Sequence, residues 1–246
     1  MSGDAQFTTA VRVGFGAAVL TAVLTVVSFA LALGTPPRSG PSCAFESCVG
    51  YPYVDIAAYF PRDYLWMFPA TAVAFVFLVL IVAIHTHAAE RTRPFTLVGC
   101  CLATISTAFL SLDYFVQLTV IQPSVLRGET DGLSLISQYN PHGLFIALEA
   151  LGYLLMSAAL AFVAPAFTGA NWTERVLRWT FLGAAVLSLV ALVALAAIYG
   201  HDLEYRFEIA VISINWSALI VGGVAAAMHF RRLIRTAASQ AVEDLR

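Results

Sequence analysis

Six long apolar segments constrain the fold of this chain more than any other feature of its sequence. They run over about residues 10–33, 64–84, 95–121, 143–167, 176–199 and 207–230. A helix needs about 20 mainly apolar residues to cross the hydrocarbon core of a bilayer, and each segment is that long. The sequence therefore predicts an all-α, polytopic integral membrane protein, with a six-transmembrane-helix bundle as a single domain over residues 1–246.

Composition supports this fold class and excludes others. The chain is 60% hydrophobic and 11% charged, whereas soluble domains are about 45–50% apolar and about 25% charged. Such hydrophobicity excludes a disordered chain. The net charge of −2 and the lack of a basic stripe give no reason to expect a nucleic-acid partner. The expected partner is the lipid bilayer itself, and a homo-oligomer is compatible with this composition.

The basic residues predict the orientation. All 13 are arginines; with the N-terminus inside, nine lie in inner segments and four in outer ones. Because basic residues favour the cytoplasmic side, we expect a plasma-membrane protein with both termini cytoplasmic. The first segment is longer than the apolar part of a typical signal peptide and is expected to be a retained helix. The two longer loops, about 35–62 and 122–142, then lie outside.

The first outer loop contains two cysteines five residues apart, Cys43 and Cys48. An oxidising compartment allows such a pair to form a disulfide. We predict that disulfide; the alternatives are two free thiols or a metal-binding pair without further ligands.

Two carboxylates lie inside predicted spans, Asp113 in the third and Glu149 in the fourth. At 1.5 Å per residue they lie about 12 Å and about 9 Å below the outer ends of their helices. Such residues cost roughly 2.5–3.5 kcal/mol to insert, which makes a functional role the first hypothesis. No basic residue lies at this depth, so the two acids are expected to share protons. This pattern favours proton coupling, cation binding or acid–base catalysis.

Further polar residues fall near the same level. Gln117 follows Asp113 by four residues, Tyr153 follows Glu149 by four, and Asn215 lies in the sixth span. Residues four apart share a helix face, so we expect these side chains to orient a bound ligand. The alternative is that they only hydrogen-bond helices together.

His142 precedes Glu149 by seven residues, which predicts a common helix face. We expect Asn140 or Pro141 to start the fourth span, with His142 in its first turn at the mouth of an outward cavity. The alternative is a surface histidine beside a helix cap.

The connection before the sixth span is dense in charge. Glu204 and Glu208 flank Arg206, which predicts an interfacial salt-bridge cluster. The rim of an outward cavity is the alternative.

The five histidines lie at the ends of spans, where haem ligands are unusual. His85 and His87 with Glu90 have weak metal-ligand spacing and no evident fourth ligand. We therefore predict no metal site and no cofactor.

The leading functional hypothesis is a membrane-embedded protein that binds or transports a small molecule or ion from the outer side. Its outward-facing polar cavity would use Asp113 and Glu149 to handle a proton or cation. One alternative is an integral membrane enzyme that acts on a lipid-like substrate by acid–base catalysis. The sequence contains no familiar catalytic motif that supports this alternative. The other is a non-catalytic accessory or sensor protein.

Overall fold

The computed structural model describes the backbone of residues 2–243 and the side chains of residues 9–203 and 205–239. Helix makes up 80% of the chain, and the described residues form no strand. The α-helices are α1 (Ser2–Leu33), α2 (Met67–His87), α3 (Arg93–Val116), α4 (Gln122–Arg127), α5 (Leu133–Ile136), α6 (Leu144–Val163), α7 (Trp172–Tyr199) and α8 (Glu204–Glu243).

Six of these helical stretches are long and apolar enough to cross a membrane, which confirms the number predicted from sequence. They contain α1, α2, α3, α6, α7 and α8. The third runs over 38 residues, because a π-helical turn over Gln117–Ile121 joins α3 directly to α4.

The six long helices form a closed ring. Each packs against the next in the order α1, α2, α3, α6, α7, α8, and α8 returns to α1. Gly222 and Gly223 allow close packing of α8, as two adjacent glycines in a span suggest. A Cβ atom at Gly223 would lie 2.9 Å from the carbonyl oxygen of Ala18 in α1. Only glycine therefore permits the α1–α8 contact without a shift.

Several helix ends differ from those predicted, and α7 and α8 show the reasons. α7 begins at Trp172, four residues early, because the side chain of Asn171 accepts a hydrogen bond from the Glu174 backbone N–H at 3.2 Å. α8 continues to Glu243, beyond the predicted end of the sixth span at 230. The apolar pattern marks where a span ends, whereas a helix continues as long as its residues favour helix.

The predicted loop 122–142 is partly helical. α4 extends the third stretch to Arg127, and Gly128 ends it in the left-handed region at φ 75°. The prediction that Asn140 or Pro141 starts the fourth span is wrong, since α6 begins at Leu144. The Asn140 side chain instead accepts a hydrogen bond from the His142 backbone N–H at 3.0 Å, which holds a turn there.

The loop over residues 34–66 crosses the same end of the ring as α4, α5 and residues 137–143. We call this the outer end, after the orientation predicted from the arginines. Cys43 and Cys48 form a disulfide in this loop, which confirms that prediction. The loop thus has a covalent constraint of its own above the helices.

Candidate functional site

A cavity of about 480 Å³ lies at the outer end of the bundle. Its walls come from α1, α6 and α8, and its cover from residues 35–39 and 138–139. Aromatic and aliphatic side chains make up most of the lining, including Phe29, Trp66, Phe145, Ile212 and Trp216. Its size lies in the range of about 300–1,000 Å³ typical of small-molecule sites.

An ion pair holds the cover of the cavity. Arg38 Nε lies 3.5 Å from Asp63 Oδ2, and its guanidinium lies over the rings of Phe45 (4.4 Å) and Tyr59 (4.6 Å). The Tyr139 hydroxyl donates a hydrogen bond to the same carboxylate oxygen at 3.2 Å. Burial, reinforced by its charged neighbours, raises the pKa of the Tyr139 phenol. The phenol therefore stays a neutral hydrogen-bond donor. Its bond to Asp63 attaches the loop over residues 34–66 to residues 137–143.

Ser39 and Tyr205 connect this cover to α8. The Ser39 hydroxyl donates to the Tyr139 carbonyl at 2.6 Å and lies 2.7 Å from the Tyr205 hydroxyl. Tyr205 also donates to the Gln138 carbonyl at 3.2 Å. Three separate segments therefore meet at the start of α8.

Three carboxyl groups gather beside the floor of the cavity, each from a different helix. Asp113 comes from α3, Glu149 from α6 and Glu208 from α8, and the three are 4%, 0% and 9% exposed. Glu149 and Glu208 lie within hydrogen-bonding reach of each other, and Asp113 interacts electrostatically with both. Glu208 alone among the three lines the cavity. We call these residues the acidic cluster.

Hydrogen-bond donors satisfy the acidic cluster only in part. The Tyr114 hydroxyl donates to Glu149 Oε1 at 2.5 Å. Glu149 Oε2 and Asp113 Oδ2 are buried without a donor among the residues that the structure describes. Two carboxyl groups within reach of each other form a hydrogen bond only when one carries a proton. The cluster is thus arranged to hold a shared proton or to receive a cation.

A chain of donors connects Glu149 with the cavity wall. Trp216 Nε1 donates to the Tyr153 hydroxyl at 2.8 Å, and that hydroxyl lies 3.0 Å from the Tyr114 hydroxyl. Because Tyr114 donates its own proton to Glu149, it accepts from Tyr153. Trp216 also lines the cavity, so its position is linked to the carboxyl group of Glu149.

Asn215 belongs to a second polar cluster, with Ser157 and Ser188. Its amide donates to Ser157 Oγ at 2.8 Å and to the Val211 carbonyl at 2.8 Å. Ser157 and Ser188 hydroxyls lie 2.8 Å apart. Together these residues, which we call the neutral cluster, join α6, α7 and α8. None of the three is in the cavity lining as described.

The structure places two other predicted site residues away from the cavity lining. Gln117 is fully buried, donates to the Ile136 carbonyl at 2.5 Å and accepts from the Gln138 backbone N–H at 3.1 Å. It therefore fixes the chain between α5 and α6. His142 is exposed and lies before α6, not in its first turn.

Glu208 is the residue that sequence reasoning missed. An interfacial ion-pair cluster around Arg206 was predicted, but Glu208 is buried against Glu149. Arg206 donates to the Asp202 carbonyl at 2.7 Å and lies 4.2 Å from the centre of the Tyr199 ring. The side chain of Glu204, its other predicted partner, lies outside the part of the chain that the structure describes. One signal was present: Glu208 precedes Asn215 by seven residues, which puts both on one helix face.

Among the described residues, no group of three or more His, Cys, Asp or Glu side chains has an arrangement that could hold a metal ion. Compared with known proteins, the chain matches no family model, no curated protein and no solved structure.

Proposed function

We propose that the chain is a multi-pass plasma-membrane protein that binds, and transports, a small molecule or ion from outside the cell. The six apolar helices and the disulfide support a membrane protein whose outer end faces an oxidising compartment. The arginine distribution, nine inner against four outer, supports cytoplasmic termini.

One observation carries the functional proposal: a cavity of about 480 Å³ has Glu208 in its lining, and Glu208 contacts a buried carboxyl group, Glu149. A ligand in the cavity thus reaches a group whose proton is shared with the bundle interior. Asp113 adds a third acid with no basic residue in the cluster. We assign to Asp113, Glu149 and Glu208 the handling of a proton or cation.

Tyr153, Gln117 and Asn215 act as positioning residues in this proposal. Tyr153 holds Trp216 in the cavity wall and orients Tyr114 toward Glu149. Gln117 fixes the loop that covers the cavity, and Asn215 fixes α8 against α6. His142 stands on the outer surface, where a ligand first arrives.

Native mass spectrometry of the detergent-extracted protein tests binding. We expect a discrete co-purifying mass in the wild type and its loss in Ile212→Trp, which fills the cavity. Leu187→Trp is the matched control, because Leu187 is an exposed apolar residue on α7. A bare protein mass throughout would contradict the proposal and favour an accessory role. A chemically altered lipid product formed without a gradient would favour the enzyme.

Thiol labelling of intact cells tests the orientation. Ser213 lines the cavity and is converted to cysteine after the free Cys100 and Cys101 are replaced by serine. A membrane-impermeant maleimide should label Ser213→Cys in intact cells and Ser239→Cys only after permeabilisation. The reverse pattern would invert the topology.

A further inference from the structure

The cavity has an aromatic lining whose polar groups are already engaged. Trp66 Nε1 donates to the Asp63 carbonyl at 3.1 Å, and Trp216 Nε1 donates to the Tyr153 hydroxyl at 2.8 Å. Phe29 meets Trp216 edge to face at 5.4 Å, and the two tryptophan rings lie 6.2 Å apart. With their N–H groups used elsewhere, these rings contribute apolar surface and π-electron density, which attract cations with an apolar shell.

The charges around the cavity lie in two groups, an ion-paired group in its cover and an acidic group at Glu208. Its lining contains three charged residues, Arg38, Asp63 and Glu208. Arg38 and Asp63 neutralise each other, and Arg62 adds a second contact to Asp63 at 2.8 Å. Glu208 has no such counter-charge: the charged groups that act on it within the described part of the chain are Glu149 and Asp113, both acids.

A metal ion would be a poor occupant of this cavity. Alkali and alkaline-earth cations need a shell of oxygen ligands. Here the lining is mostly carbon, and its aromatic surface suits the apolar body of an organic molecule. An anion is disfavoured by Glu208. One acid without a counter-charge, surrounded by several aromatic rings, favours an organic cation over a metal ion or an anion.

We propose that the cavity binds a lipophilic organic cation, such as a quaternary ammonium or phosphonium compound, with its charge near Glu208 and its apolar groups among Trp66, Trp216 and Phe29. This inference rests on the proposed function and names the ligand class. On binding, the cation replaces the proton shared by Glu149 and Glu208. That proton leaves to solvent through the cavity, so charge is balanced and binding is coupled to proton release.

Tetraphenylphosphonium and tetraphenylborate form a matched pair of probes, because they share a shape and differ in charge. Binding is measured by tryptophan fluorescence on protein in zwitterionic lipid nanodiscs, with empty nanodiscs correcting for partition into lipid. We expect saturable phosphonium binding and at least 100-fold weaker borate binding. Glu208→Gln should weaken phosphonium binding at least tenfold. Glu129→Gln, the same change at an exposed loop acid, should leave it unchanged.

Proton release is measured in weakly buffered solution with a pH indicator. The wild type should release a proton on binding the phosphonium, and Glu149→Gln should release less than half as much per phosphonium bound. Equal affinity for phosphonium and borate, or affinity insensitive to Glu208→Gln, would overturn the cation assignment. If in that case a co-purifying mass is still lost in Ile212→Trp, the binding function stands and only the ligand class is wrong.

Discussion

The bundle contains two polar clusters, and they differ in how well their atoms are satisfied. In the neutral cluster, Ser157, Ser188 and Asn215 have partners for every buried side-chain polar atom. In the acidic cluster, Glu149 Oε2 and Asp113 Oδ2 have none among the described residues. Buried polar groups are normally paired, and a protein rarely keeps costly exceptions without a use. The neutral cluster is thus best explained as a joint between helices, and the acidic one as a site.

Introducing a lysine into each cluster is expected to give the largest difference in stability between the two clusters. Glu208→Lys places an ammonium beside Glu149 and Asp113, whose oxygens accept it, so the protein should keep its melting temperature and lose phosphonium binding at least 100-fold. Asn215→Lys buries the same charge among hydroxyls, at a cost of about 2.5–3.5 kcal/mol on insertion scales. Size-exclusion chromatography and thermal unfolding measure both. Equal folding of the two variants would remove the distinction between the clusters.

Near-isosteric substitutions compare the two clusters through smaller expected changes in stability. Glu149→Gln supplies an N–H donor toward Glu208 in place of a shared proton, so its melting temperature should equal or exceed that of the wild type. Asn215→Leu loses the bonds to Ser157 and the Val211 carbonyl and should destabilise by about 1–2 kcal/mol. Thermal unfolding in one detergent compares them. A larger loss in Glu149→Gln than in Asn215→Leu would speak against a functional acidic cluster.

Alkaline pH combined with Tyr139→Phe tests how the cover of the cavity is held. The pKa of Tyr139 is raised in the folded protein, whereas an unfolded tyrosine titrates near about 10. Its contribution to stability is therefore complete below about pH 10 and falls as pH rises further, by at most about 1.4 kcal/mol per pH unit. Tyr139→Phe should lose melting temperature less steeply than the wild type between pH 9 and 11. Parallel curves would show that this phenol does not hold the cover.

The smallest effect is expected inside the neutral cluster. A double-mutant cycle of Ser157→Ala and Ser188→Ala should give a coupling near about 0.6 kcal/mol, the average for hydrogen bonds between membrane helices. Neither change should alter phosphonium affinity, because neither residue is part of the cavity lining as described. A measurable change in affinity would link the two clusters functionally.

Hydropathy predicts the architecture well because six apolar helices are a property of each segment alone. The disulfide was equally predictable, since Cys43 and Cys48 are close in sequence. Helix rotation and the paths of loops depend on contacts between segments, which hydropathy does not contain. Gln117 illustrates this: its spacing from Asp113 predicted a ligand contact, yet its amide is used by the loop backbone at residues 136 and 138.

Glu208 was missed for a related reason. Local sequence offers Arg206 as a partner two residues away, whereas residues two apart on a helix do not face each other. The true neighbour, Glu149, is 59 positions away and is brought close only by the contact of α6 with α8. A search for acids seven residues from a buried polar residue would have found it.

The length of α8 has a mechanical consequence. Its 40 residues extend for about 60 Å at 1.5 Å per residue, about twice the roughly 30 Å thickness of the hydrocarbon core. Glu208 and Trp216 lie in its outer part, and Arg231, Arg232 and Arg235 in its inner part. In the proposed orientation α8 is a lever arm: pivoting by about 5° about its outer end would displace the far end by about 5 Å, given that length. A small change of tilt at the cavity would therefore become a larger displacement at the inner end of α8.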